Sequence, residues 1–166
     1  MDGMQARWIV LLAVFAIPLR ATDRAYSDAV RAELSGIDAP LVDVTEARKL
    51  MKNGAVILDT RTPEEFAVSH LPGARLVPFG VWQAIAGPAL PADLARDKPI
   101  IVYCTIGWRS GKTTEALRAR GYVQAVNLFG GIIQWHNEGA PLVDASGQAT
   151  TRVHPYSSRW GEFIRQ

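Results

Sequence analysis

At 166 residues, with 48% hydrophobic and 20% charged residues, the chain has ordinary globular composition and enough length to bury one sizeable core, which excludes a disordered or fibrous class. The formal charge of +2 arises from 18 basic and 16 acidic residues scattered along the sequence, so no basic footprint for nucleic acid is present. A single cysteine, Cys104, excludes an internal disulfide and leaves the fold to stand on its core.

The first segment differs in kind from the rest. Arg7 precedes the apolar run Trp8 to Leu19, with small Ala21 after it. Such a run is shorter than the roughly 20 residues a membrane-spanning helix needs and fits a secretory signal, with cleavage expected near Ala21 and export to the bacterial periplasm. An uncleaved anchor or a helix packed on the domain are the alternatives, and cleavage leaves no membrane span in the mature chain. Residues 22–40 carry no strand pattern and end in Asp38-Ala39-Pro40, so they read as a helix-prone lead-in and linker.

From Leu41 the pattern becomes regular. After the brief apolar piece Leu41-Val42, Thr45 can cap a helix running to Lys52, which Asn53-Gly54 stops. Ala55 to Asp59 reads as a buried strand, and Thr62-Pro63-Glu64-Glu65 has the form of a capping box opening a short helix to about Ser69. A turn at 70–74, a short strand at 75–78 and a short helix over 81–86 follow. Pro99 to Tyr103 is a β-branched strand, Ser110 to Arg120 a helix closed by Gly121, Gln124 to Leu128 a strand, and 132–138 a helix ended by Gly139 and Pro141. Strands apolar on both faces alternating with helices predict a parallel sheet covered on both sides, with ligands at the carboxyl ends of the strands.

Cys104 falls at such an end and opens the loop Cys104-Thr105-Ile106-Gly107-Trp108-Arg109. Free amides and the positive end of the following helix gather at a loop of this kind, so it can hold an anion and lower the pKa of a thiol. Gly107 permits a tight backbone path and Arg109 supplies a permanent planar cation. Taken alone, a cysteine at a strand end is more often a small buried hydrophobe, and the surrounding spacing is what argues for a nucleophile.

Three stretches together resemble a single-domain rhodanese, a sulfurtransferase. They are Leu58-Asp59-Thr60-Arg61-Thr62-Pro63-Glu64-Glu65-Phe66 with His70-Leu71-Pro72-Gly73-Ala74, the loop Tyr103-Cys104 through Arg109-Ser110, and Gly121-Tyr122, Leu128-Phe129-Gly130-Gly131, Trp135 and Gly139-Ala140-Pro141-Leu142, covering about residues 41–143. The resemblance implies a three-layer α/β/α fold with a five-stranded, mainly parallel sheet, no metal and no organic cofactor. It implies Cys104 as nucleophile, Thr105, Ile106, Gly107, Trp108 and Arg109 around the substrate, and a persulfide that carries sulfur from a thiosulfate-like anion to cyanide or a thiol. A carrier module with little turnover shares these features. A dual-specificity type phosphatase differs by having a longer loop than the four residues found here between cysteine and arginine.

Asp59, Arg61 and Ser110 are expected to support the loop; Arg61 either fixes it from beneath or beside by bonding to carbonyls or a carboxylate, or, as the favoured reading, makes a plain strand-end ion pair with Asp59, Glu64 or Glu65. His70 reads as a turn or packing residue, and His70, His136 and His154 have no metal-ligand spacing with one another or with Cys104. Trp108 stands at the rim of the expected pocket, either to meet an acceptor or merely to pack. The aromatic tail beyond residue 143, with Tyr156, Trp160 and Phe163, is expected to pack back on the domain, with docking of a partner the second reading.

Overall fold

The computed structural model describes residues 21–80, 90 and 94–166; the apolar segment before residue 21 and the helix expected over 81–86 lie outside the described residues. Five short strands, β1 (Leu41–Val42), β2 (Val56–Asp59), β3 (Arg75–Leu76), β4 (Ile100–Tyr103) and β5 (Ala125–Leu128), form one sheet in the order β1-β5-β4-β2-β3, and every pairing is parallel. Helices α1 (Ala21–Glu33), α2 (Val44–Lys52), α3 (Pro63–Val68), α4 (Trp108–Ala119), α5 (Gly131–Asn137) and α6 (Ser158–Gly161) surround it, and β6 (Leu142–Val143) and β7 (Ala149–Thr150) add a small antiparallel hairpin.

The central strand explains the layering. All four side chains of β4 are buried, and they alternate between two cores: Ile101 and Tyr103 face α2 and α5 with Val44, Ala47 and Trp135, whereas Ile100 and Val102 face α4 with Leu117. Each such side chain contributes about 1.5 to 3 kcal/mol by leaving water. Burial on both faces is what a strand between two helical layers requires, and it replaces the polar alternation of a one-sided sheet.

Several boundaries differ from the sequence expectation by a residue or two, and at two of them the cause is visible. The cap of α2 is Asp43, whose carboxylate accepts from the Glu46 amide at 2.7 Å, so Thr45 stands inside the first turn rather than before it. α4 begins at Trp108 instead of Ser110, because Gly107 adopts φ +113° and turns the loop into the helix two residues early.

Residues 22–40, read as a helix-prone lead-in and linker, contain all but the first residue of the thirteen-residue α1, and this helix has a core of its own. Tyr26, Val30 and Leu34 pack with Ile106 of the cysteine loop, Ile133 of α5 and Trp160 of α6. The Tyr26 ring lies 5.2 Å from Phe163 and 6.3 Å from Trp160, and its hydroxyl donates to the Gly130 carbonyl at 2.6 Å. The tail is tied further by Arg165, which pairs with Asp23 and donates to the Asn137 carbonyl at 2.7 Å.

Candidate active site

Pro99 precedes β4, three β-branched residues begin it, and the chain arrives at Cys104 at the carboxyl end of the sheet's middle strand. The amide of Gly107 donates to Cys104 Sγ at 3.1 Å, which complements negative charge on that sulfur. Cys104 is buried but borders a cavity of about 340 Å3 that it shares with the loop residues Thr105, Ile106, Trp108 and Arg109.

The back of the loop is held by α5. Ile132 and Ile133 donate their amides to the carbonyls of Cys104 and Thr105 at 2.9 and 3.4 Å, so these carbonyls are consumed on the side away from the cavity. This approach demands glycine at 131, with φ +52°, since a Cβ there would lie 2.6 Å from the Thr105 carbonyl oxygen and closer still to that of Cys104. On another side Asn127 of β5 donates to the Gly107 carbonyl at 3.0 Å while accepting from the Ser110 hydroxyl at 2.7 Å. Ser110 therefore supports the loop through Asn127, a buried polar residue in an otherwise apolar strand. That polarity was the available signal, and sequence reasoning passed over it.

Glu65 was legible as the far half of a capping box and as one possible partner of Arg61; Arg61 pairs with Asp59 instead, and the capping box is present, with Glu65 accepting from the Thr62 amide at 3.0 Å and its own amide donating to the Thr62 hydroxyl at 3.3 Å. Its carboxylate also receives both terminal nitrogens of Arg109 at 2.7 Å and the Thr105 hydroxyl at 2.9 Å. Burial raises the pKa of Glu65, but the bonds from Arg109, the Thr62 amide and Thr105 outweigh burial and draw it down to about 2. Arg109 is held charged in turn: burial opposes the charge, and Glu65 and the facing Cys104 overcome that opposition.

Arg61 stands one layer deeper. Fully buried, it donates to both carboxylate oxygens of Asp59 and to the Ser69 carbonyl at 2.6 Å, with its guanidinium 5.6 Å from the Tyr103 ring centroid. Burial works against its charge and Asp59 restores it. The pair fixes the end of β2 to the end of α3, the helix that carries Glu65, and so reaches the loop through Glu65 and not by direct contact. Each histidine has a backbone partner: His70 meets the Phe66 carbonyl, His136 the Arg165 carbonyl and His154 the Tyr156 amide. No cluster of metal-ligating residues occurs among the described residues.

A parallel α/β sheet whose middle strand delivers a cysteine into a loop closed by an arginine defines a cysteine-loop α/β domain. Residues 43–138 match the Rhodanese-like domain, and the chain belongs to that family. It is 33% identical over 92 residues to a sulfurtransferase of Allochromatium vinosum, covering 55% of this chain and 81% of the relative. It is also 33% identical over 104 residues to the thiosulfate sulfurtransferase GlpE of Pseudomonas aeruginosa, covering 63% and 89%. A crystal structure of a rhodanese-related protein from Thermoplasma volcanium superposes with a TM-score of 0.54 at 27% identity, over 63% of this chain and 97% of that one. α1 and the tail from β7 onward lie outside the family segment.

Proposed function

We propose that the protein is a sulfurtransferase that moves sulfane sulfur from thiosulfate or a similar donor to cyanide or a thiol through a persulfide on Cys104. The observation that carries this reading is the Gly107 amide 3.1 Å from Cys104 Sγ at the mouth of a cavity, inside a loop whose Cys104, Thr105 and Gly107 carbonyls are engaged by Ile132, Ile133 and Asn127. Cys104 thiolate attacks the outer sulfur of thiosulfate, a sulfur–sulfur bond forms, the donor's own sulfur–sulfur bond breaks, and sulfite departs with its electron pair. Cyanide then attacks the terminal sulfur of the persulfide, leaves as thiocyanate and restores the thiolate. The step needs no proton carrier, and no histidine lines the cavity among the described residues.

Amide donors and Arg109 complement the charge carried by the attacking sulfur and by the persulfide. The phosphatase alternative loses support at Arg109, since a guanidinium bound by both nitrogens to Glu65 is not free to clasp a phosphate in bidentate fashion. Export belongs to the same reading and rests on the apolar run before Ala21; N-terminal sequencing of protein from its native host then begins near Thr22, and an intact Met1 would contradict it.

Mass spectrometry with and without thiosulfate tests the chemistry. The expected result is the mass of one added sulfur on wild type, removed by cyanide, and none on Cys104→Ala. Thiosulfate:cyanide turnover persisting in Cys104→Ala would end the mechanism.

A further inference from the structure

The cavity before Cys104 is larger and more apolar than an inorganic sulfur donor requires. Its volume of about 340 Å3 corresponds to roughly ten water molecules, whereas thiosulfate has five heavy atoms. Phe79, Ile106 and Trp108 line it from within the family segment, and Glu33, Tyr156 and Trp160 line it from the two flanking segments.

Its charges are balanced in pairs. The described lining contains one cation, Arg109, and one anion, Glu33. Arg109 is bound twice by Glu65, and Glu33 is paired with Arg159 at 2.9 Å. No uncompensated positive charge is left in that lining to favour a dianion, and Glu33 at the mouth opposes a second negative charge.

Two large rings are instead left open to water on the same cavity. Trp108 is 39% exposed, with Phe79 edge-on at 5.7 Å, and Tyr156 is 62% exposed, with the Arg109 guanidinium 4.8 Å from its ring centroid. Tyr156 is the one described non-glycine residue at positive φ, +64°, an uncommon conformation that a tight turn maintains. Its amide donates to His154 Nδ1 at 3.1 Å, and the Ser157 amide donates to the Pro155 carbonyl at 2.7 Å. A ring so placed is aimed at the site.

We infer that Trp108 and Tyr156 form a slot for the flat apolar body of an organic sulfur donor, so that among singly charged thiosulfonates this chain favours an aryl over an alkyl one. The inference rests on the Cys104 persulfide reading. Cys104 thiolate attacks the terminal sulfur of the thiosulfonate, the bond between that sulfur and the sulfonyl sulfur breaks, and an aryl sulfinate leaves with the electron pair. One negative charge enters with the donor and one leaves with the sulfinate, and the persulfide retains the charge of the thiolate. Tyr156 is a specificity-determining residue in this scheme.

The test uses benzenethiosulfonate and methanethiosulfonate, which present the same reacting group and differ in the body attached to it, with cyanide as common acceptor. Wild type is expected to favour the aryl donor in kcat/KM by about tenfold, the scale of one or two aromatic contacts. In Tyr156→Ala that ratio falls severalfold toward the intrinsic reactivity of the two donors, and in Tyr156→Phe it is retained. A ratio that is the same in Tyr156→Ala as in wild type overturns the slot, including the case in which both donors lose activity equally. Failure of every donor to leave a persulfide on Cys104 would instead overturn the sulfur-transfer reading beneath it.

Discussion

Replacing Glu65 by Gln asks whether charge holds the frame of the cysteine loop. The wild-type carboxylate accepts four bonds, two from Arg109, one from the Thr105 hydroxyl and one from the Thr62 amide. Burial alone would lift its pKa; these partners bring it from the ordinary 4.5 down to about 2. At about 1.4 kcal/mol per pH unit, the ionised form stabilises the fold by about 3 kcal/mol. Little of this is screened, because the Glu65 side chain is 3% exposed. A carboxamide keeps one acceptor oxygen but turns an NH2 toward the guanidinium, so the expected loss at neutral pH is about 3 kcal/mol, at the lower end for breaking a buried pair.

The stabilisation is complete above about pH 4.5, where Glu65 of the unfolded chain is already ionised, and is withdrawn as the pH falls toward about 2. Urea titrations of wild type and Glu65→Gln across that range measure the difference directly. Other carboxylates titrate in both proteins and cancel, so the difference shrinks as the pH falls through the window. A difference below about 1 kcal/mol at neutral pH, or one that stays constant down to about pH 2, would refute the charge argument.

Three other substitutions probe the same frame. Gly131→Ala is expected to cost about 2 to 5 kcal/mol, from overpacking against the loop carbonyls and a left-handed backbone, with sulfur transfer reduced on the order of a hundredfold; wild-type activity in a stable variant would show that the close approach is dispensable. Asn127→Ala leaves the Gly107 carbonyl and the Ser110 hydroxyl without their partner and is expected to lose about 1 to 3 kcal/mol in thermal or urea unfolding, with a lower rate of persulfide formation. Asp59→Asn removes the counter-charge of a fully buried arginine and is expected to lose about 3 to 5 kcal/mol, with urea unfolding as the measure and a loss below about 1 kcal/mol the contrary outcome.

Local chemistry made much of this arrangement readable beforehand. The strand into Cys104, the capping box at Thr62 and the Gly-Gly turn at 130–131 each depend on neighbours within a few positions, and the alternation of apolar strands with helices was enough to predict the parallel sheet. Partnerships across the chain left no such trace. Nothing near Glu65 indicates that its second use is to hold an arginine 44 positions away, and nothing near Tyr156 indicates that its ring will lie on that same arginine. The start of α4 moved for a related reason: whether Gly107 belongs to the loop or caps the helix is decided by Asn127 and the Leu128 backbone packed beside it. Residues 22–40 looked like a linker because the surface that α1 covers is assembled from the loop, α5 and the tail.

The Asp23–Arg165 pair closes across 142 positions, and the aromatic contacts of Tyr26 with Trp160 and Phe163 are nearly as distant. During synthesis α1 leaves the ribosome early and part of its cover leaves late, so its apolar face meets Ile106 and Ile133 first and is not closed over until residues 156–165 emerge. The bonds that shape the cysteine loop, by contrast, lie between Asp59 and Ile133 and can form sooner, because contacts between distant segments are the slower ones to close. The growing chain therefore passes through a stage in which the loop around Cys104 is framed while Tyr156 and Trp160 are still missing from its cavity. Under the proposed mechanism and slot, reactivity comes first in the life of the molecule, and selectivity follows with residues 156–160.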